Sequence, residues 1–371
     1  MDKKEVMEIK KQFTPEYCNL TRICSCYVDS NKQKVAKSKE AFLSLPEEEC
    51  MKYFEIFRKA FSGQIGKNLY NLPFPLESEK PDGAQEFLLR LRDSKLEDEE
   101  LLEEFYDKVI DSYVYPDHYY IIVVHGFYDI PGKLDQISLF DEDPADNVYE
   151  YLSACICPVA LSKPGLSYQE EKKRFSDRIR DRIVEKPDKA FLFPAFNDRT
   201  ADIHNALYYS KKSMDLQPDL IEGLLGTAVP MPCEAQKETF HKIIEDVLGD
   251  DASCAKICEI QRAINEMAED CHGDAPIEAG EQEIKKVLES CEIPEEKLQR
   301  FHEIYEGYAG ERGKFLLTNL SEEKKFTLRM QDTTITTQPD STIDLEVING
   351  RKCIVIPVYG NVEVNGIPVL Q

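Results

Sequence analysis

The stretch Asp117 to Pro131, DHYYIIVVHGFYDIP, constrains this chain more than any other. It holds a dense run of β-branched and aromatic residues next to prolines, the composition that suits a pleated, buried surface. It is too short for a membrane helix, which needs about 20 apolar residues. The reading is a buried strand, and a buried strand needs neighbours. Tyr149 to Leu161 (YEYLSACICPVAL) can pair with it, and Lys189 to Phe196 (KAFLFPAF) offers a third strand. Between the first two, Leu134 to Glu150 carries six acids (Asp135, Asp141, Glu142, Asp143, Asp146 and Glu150) and no base, which reads as an exposed connection.

The surrounding pattern predicts α+β: a mixed, mostly antiparallel sheet domain over 1–215, a helical region over 216–312 and a small β-rich C-terminal module over 313–371. Helices are expected over 2–12, from a Ser44 and Glu47 capping box to Gly63, and over 84–93 and 97–114. Leu20 to Asp29 and a return through Val35 form a candidate edge hairpin, and 68–82 reads as a loop. Tyr168 to Glu185 (YQEEKKRFSDRIRDRIVE) reads as a helix, as does 198–212. Further helices are expected over 233–248, 254–268, 282–291 and 294–308. Strand-like segments fill the tail, with Asn349-Gly350 and Asn365-Gly366 as two-residue hairpin turns.

At 371 residues with a net charge of −24, the chain exceeds one ordinary core and disfavours a broadly cationic, phosphate-binding surface. The opening MDKKEVMEIKKQF lacks the apolar core of a secretion signal, and no apolar run reaches membrane-spanning length. Together with twelve cysteines, this predicts a cytoplasmic protein with free thiols and no membrane association.

Five features could be read as carrying chemistry. Cys24 with Cys26, and Cys155 with Cys157, sit two apart on predicted strands, so each pair shares a face; on neighbouring strands four thiolates could meet a structural zinc. Burial as small hydrophobes explains them without metal. Cys254, Cys258, Cys271 and His272 form a looser cluster whose spacing matches no zinc pattern. His125 on the central strand could act as a general base with Asp129 or an acid of the 135–150 loop, yet no nucleophile motif accompanies it. A hydrogen-bonded core histidine is the plainer reading. Gly63 to Asn68 superficially matches a phosphate loop but has the wrong spacing and no Ser or Thr after Lys67.

The fifth feature is a local reversal of charge. From Lys163 to Lys189 there are nine bases and six acids. As a helix, this segment would align Arg174, Arg178 and Arg182 on one face beside Lys172 and Lys173, able to grip phosphates or an acidic partner. Intrahelical pairs, Glu170 with Arg174, Arg178 with Asp181 and Arg182 with Glu185, are the bland alternative.

Three segments resemble a known family: EIKKQFTPEYCNLTRICSCYVD near the start, EAFLSLPEEECMKYFEIFRKAFSGQIGKNLYNL after it, and QPDSTIDLEVINGRKCIVIPVYGNVEVNGIPV in the tail. They are similar to the bacterial DUF4317 family, a domain of unknown function, and the likeness covers essentially the whole chain. It implies a bacterial cytosolic protein and brings no activity, cofactor or catalytic residue. In layout alone, the chain is also similar to bacterial nucleoid-associated proteins, from which no contact residue carries over. The expectation is an uncharacterised, non-enzymatic interaction protein without cofactor. Its partner would be a protein or a second copy of the chain, with nucleic acid as the alternative through the basic segment. The rival readings are an enzyme near His125 and a structural zinc protein.

Overall fold

A computed structural model describes residues 1–131, 148–269, 277–310, 313–321, 326–337 and 343–358, and a few further positions up to 368. Two compact units result, Met1–Pro232 and Cys233–Gln371.

The predicted central strand is β4 of the first unit. Before it come α1 (Lys3–Lys11), β1 (Leu20–Val28), β2 (Lys34–Ala41), α2 (Glu47–Ala60), β3 (Leu69–Pro73), α3 (Ala84–Asp93) and α4 (Glu99–Ser112). Then follow β4 (Tyr119–Asp129), β5 (Val148–Leu161), β6 (Leu166–Gln169), β7 (Arg174–Asp177) and β8 (Arg182–Val184). The unit closes with β9 (Lys189–Phe193), β10 (Ala195–Asn197), β11 (Thr200–Asp202), β12 (Asn205–Ser210) and a turn of helix, α5 (Pro218–Leu220). The main sheet runs β2-β1-β4-β5-β9-β12-β3 with every neighbour antiparallel. With helices on both faces, this is the expected α+β class.

Both faces of the sheet are covered. On one, Cys24, Ile121, Val123, Leu152, Phe191 and Tyr208 join a core with Phe87, Leu91, Phe105 and Val109 of α3 and α4 and with Leu216 to Leu225. On the other, Ile23, Ile122, Val124, Tyr151, Cys155 and Leu192 join Ile9 of α1, Phe13 just after it, and Phe54 and Phe57 of α2. Two-sided burial is why β4, β5 and β9 read as continuous apolar runs rather than as alternation. The edge strand β2 behaves differently. Its Lys34 pairs with Glu103 and Asp107 of α4, and Lys37 also reaches Glu103, so charge guards an edge that could otherwise recruit another strand.

Several sequence expectations give way to tertiary context. The expected helix over 198–212 is β11 and β12; Ala206, Leu207, Tyr208 and Tyr209 are all buried, because β12 is clamped between β9 and β3. The expected loop over 68–82 contains β3, the partner that completes that clamp. Ser44 does not cap α2: its hydroxyl donates to the Ala41 carbonyl at 2.7 Å, and the helix starts after Pro46.

The largest departure is the basic segment. Tyr168 to Glu185 is not a helix but a short hairpin of β6 and β7, followed by β8, which pairs back on Val159 to Leu161 of β5. Helical spacing of Phe175, Ile179 and Ile183 had no surface to dock on: they are 68%, 81% and 49% exposed. Backbone pairing with the outgoing end of β5 takes the segment instead. We refer to 162–186 as the arm.

In the second unit, α6 (Cys233–Leu248), α7 (Cys254–Glu269) and α8 (Glu281–Ser290) match the expected helices, and the expected 294–308 helix is broken into α9 (Glu295–Leu298) and α10 (Phe301–Ala309). Phe240, Ile243, Ile264, Phe301 and Tyr305 are buried with Phe315 of a short ladder between β13 (Glu278–Ala279) and β14 (Phe315–Leu316), next to α11 (Leu317–Leu320). Separate hairpins follow: β15 (Phe326–Arg329) with β16 (Thr334–Thr337), β17 (Asp344–Ile348) with β18 (Arg351–Val355), and β19 (Glu363–Val364) with β20 (Ile367–Pro368). Asn349 and Gly350 have φ of 51° and 77°, the double positive φ that a type I′ turn requires. Asn365 and Gly366 lie outside the described residues.

Candidate functional site

The β4–β5 ladder is the longest in the sheet, running from Tyr119 opposite Pro158 to Asp129 opposite Val148. Two groups of chemically notable side chains sit toward its two ends.

At one end is His125, 1% exposed on the α3 and α4 face. Its Nε2 lies 2.9 Å from Oε1 of Glu150, a residue of β5 on the same face, and its Nδ1 lies 2.7 Å from the Thr21 hydroxyl of β1. Local irregularity creates the second contact. Leu20 pairs with Gly126 and Arg22 with His125, so Thr21 is the extra residue of a bulge, a device that re-aims a side chain. Gly126 permits this close approach: a Cβ there would lie 2.8 Å from Leu20 Cδ2 and 2.9 Å from the Tyr151 hydroxyl.

The electrostatics of His125 follow from the same packing. Burial pushes the imidazole below its ordinary pKa; Glu150 pulls it upward, and Lys95 and Arg92 add to the depression. A neutral ring results, with its tautomer set by its partners. Glu150, as a carboxylate, only accepts, so Nε2 carries the proton and Nδ1 is left to accept from Thr21. Glu150 belongs to the acidic loop named from sequence as a source of partners. Asp129 does not join the group: it is four residues along an extended strand, about 13 Å away. It lines a groove of about 700 Å³ with Glu8, Lys11 and Tyr128 instead. The other acids of that loop, Asp135 to Asp146, lie outside the described residues. Thr21 was not anticipated, and no sequence signal marks a bulge in an otherwise regular strand.

At the other end is the arm. Lys172, Lys173, Arg174, Arg178 and Arg182 are exposed, and none has an ion-pair partner among the described residues. The expected single arginine face does not exist, because Arg174 is on β7, Arg178 just past it and Arg182 on β8. None of the three expected intrahelical pairs forms. Arg180 is tied down, its Nε donating to the Ser162 carbonyl at 2.6 Å. Leu166 and Tyr168 are 74% and 56% exposed beside Phe175, whose ring meets Tyr168 edge-on with centroids 5.6 Å apart. Lys189, counted with the basic segment in sequence, is fully buried and bonded to Asp188 at 2.8 Å, so it adds no surface charge.

The cysteines do not converge. Cys24 and Cys26 belong to the α3 and α4 core, and Cys155 and Cys157 to the α1 and α2 core, so the sheet itself separates the pairs. Burial raises the Cys24 and Cys26 thiols to about 11 and lifts Cys155 and Cys157 further, which disfavours the thiolate that zinc requires. Among the described residues, no cluster of three or more His, Cys, Asp or Glu could hold a metal ion. Cys254 and Cys258 lie one turn apart on α7, whereas Cys271 and His272 lie outside the described residues. His118, at the start of β4, is bonded through Nδ1 to the Tyr27 hydroxyl at 2.8 Å.

Comparison with known proteins adds a family and no activity. No curated protein matches the chain, and nothing found supports the likeness in layout to nucleoid-associated proteins. Among the described residues no helix is long and apolar enough to cross a membrane. The model of a family described as a domain of unknown function matches residues 1–367, and the chain therefore belongs to the DUF4317 family.

Proposed function

We propose that this chain is a cytoplasmic binding protein whose arm, 162–186, docks on an acidic protein surface with an apolar centre, and that the surface it uses is a second copy of the chain. One observation carries the reading. The arm gathers Leu166, Tyr168, Phe175, Ile179 and Ile183 in exposed positions among cations that have no ion-pair partner among the described residues, whereas ordinary surfaces scatter such side chains singly. Aromatic and aliphatic anchors ringed by charge are the anatomy of a protein interface. Aliphatic side chains such as Leu166, Ile179 and Ile183 have no role on a phosphate backbone, which favours protein over nucleic acid. The chain as a whole carries −24, so the rest of its surface is complementary in charge to its arm.

Sedimentation velocity at low and high salt tests this on the full chain, comparing wild type with Phe175→Ser/Ile179→Ser and with Arg174→Ala/Arg178→Ala/Arg182→Ala. Expected are a wild-type oligomer that dissociates as salt rises and variants that stay monomeric. A wild-type monomer under all conditions removes self-association. If that monomer also binds a short DNA duplex, with affinity lost in the arginine variant, the arm is a nucleic-acid contact instead.

A further inference from the structure

We propose that Thr21, His125 and Glu150 form a nucleophilic relay able to take an acyl group from an ester or thioester onto the Thr21 hydroxyl. The three side chains come from β1, β4 and β5, adjacent strands of the sheet, and meet on one face. Thr21 Oγ1 is 2.7 Å from His125 Nδ1, and His125 Nε2 is 2.9 Å from Glu150 Oε1. That is the order nucleophile, base, orienting acid, with the two ring nitrogens exchanged relative to the familiar serine hydrolases. Thr21 is exposed while the ring behind it is sealed, so an approaching substrate meets the hydroxyl first.

A structural role alone needs less than this. The Thr21 hydroxyl also lies 3.2 Å from the His125 carbonyl, which would satisfy it without the ring. Glu150 is only partly buried and could remain solvated, yet it holds the ring nitrogen that fixes the tautomer. The ring is thus supported as a base, and the bulge points a hydroxyl at its free lone pair. Lys95 and Arg92, the cations that disfavour the protonated ring, would by the same field favour the negative oxygen of a tetrahedral intermediate.

The chemistry balances without a cofactor. The Thr21 Oγ1 proton passes to His125 Nδ1 as Oγ1 bonds to the acyl carbon. The bond from that carbon to the leaving alcohol or thiol breaks, and the imidazolium returns the proton to the leaving group. Water then attacks the acyl-threonine, losing its proton to Nδ1; the Oγ1–C bond breaks, and Oγ1 takes the proton back. Glu150 holds Nε2 throughout and exchanges no proton.

The site lies apart from the arm, so its test is independent of the binding role proposed above. The full chain is treated with p-nitrophenyl acetate and, separately, with a fluorophosphonate, and the modified residue is located by peptide mass mapping. Modification of Thr21 is expected, retained in Thr21→Ser, abolished in Thr21→Val and slowed roughly 10²–10⁴-fold in His125→Gln, the range typical of a lost general base. Glu150→Gln should slow it as well. The rate should rise with pH and level off below the ordinary histidine range. Circular dichroism establishes that each variant is folded. Failure of both reagents to modify Thr21 in folded wild type, or equal modification of folded wild type and Thr21→Val, overturns the proposal.

Discussion

The two ends of the β4–β5 ladder solve opposite problems with the same strands. At the Glu150 end, Thr21, His125 and Glu150 are joined by hydrogen bonds within the sheet, so His125 is both charge-sensitive and held. At the Leu161 end, the arm carries apolar side chains outside both cores of the sheet, so Phe175, although its ring meets Tyr168 edge-on, and Ile179 stay in water. Burial with satisfied hydrogen bonds makes a site precise; exposure without apolar cover makes a surface available. The two proposals divide along the same line, with chemistry assigned to the first end and contact to the second.

Substitutions can break or sharpen that contrast. The largest effect belongs between the ends. Leu152, buried opposite His125, supports the ladder itself, and Leu152→Ala should cost about 2–5 kcal/mol in urea unfolding. A smaller value would mean that the core under His125 collapses easily and that the first end is less rigid than its geometry implies.

Next comes His125→Gln, which leaves Thr21 and Glu150 short of one partner and should cost about 1–3 kcal/mol at neutral pH. Its pH dependence is more telling. The folded-state pKa of His125 lies below its unfolded value, so the native fold prefers the neutral ring. That contribution is fully present above the ordinary histidine value near 6.5 and is lost as pH falls through the folded pKa. Wild type should therefore weaken on mild acidification in a way the variant does not. Parallel curves for the two proteins would remove His125 as the titrating group.

The smallest effect should be on the arm, where Ile179→Ser should change the unfolding free energy of the isolated monomer by within about 0.5 kcal/mol. A loss of several times that amount would show that the arm packs on the fold rather than being offered to a partner.

Much of this architecture was legible in the sequence, for identifiable reasons. β4 and β5 announce themselves because two-sided burial writes uninterrupted apolar runs, and α3 and α6 end where their amphipathic pattern ends. β12 has the pattern of a helix because its Tyr208 and Tyr209 lack alternation, and β3 has that of a loop because a five-residue strand preceded by Asn68 and ending in Pro73 has the composition of one. The arm has the pattern of a helix because apolar residues four apart satisfy a helical period whether or not a core awaits them. His125 could be singled out by its place in the strand. Its partners could not be paired with it, since Thr21 reaches it through a register shift that only the assembled sheet defines.

The pairing of β3 with β12 has a consequence in time. Residues 69–73 form a ladder with 205–209, and no earlier strand borders β3 in the main sheet. On a ribosome adding about 5–20 residues per second, β3 would wait on the order of ten seconds before its partner is made. During that interval neither edge of Leu69 to Pro73 is paired, whereas in the finished sheet β12 covers one. A nascent chain stalled before Asn205 would thus present an unpaired strand that the finished protein never shows.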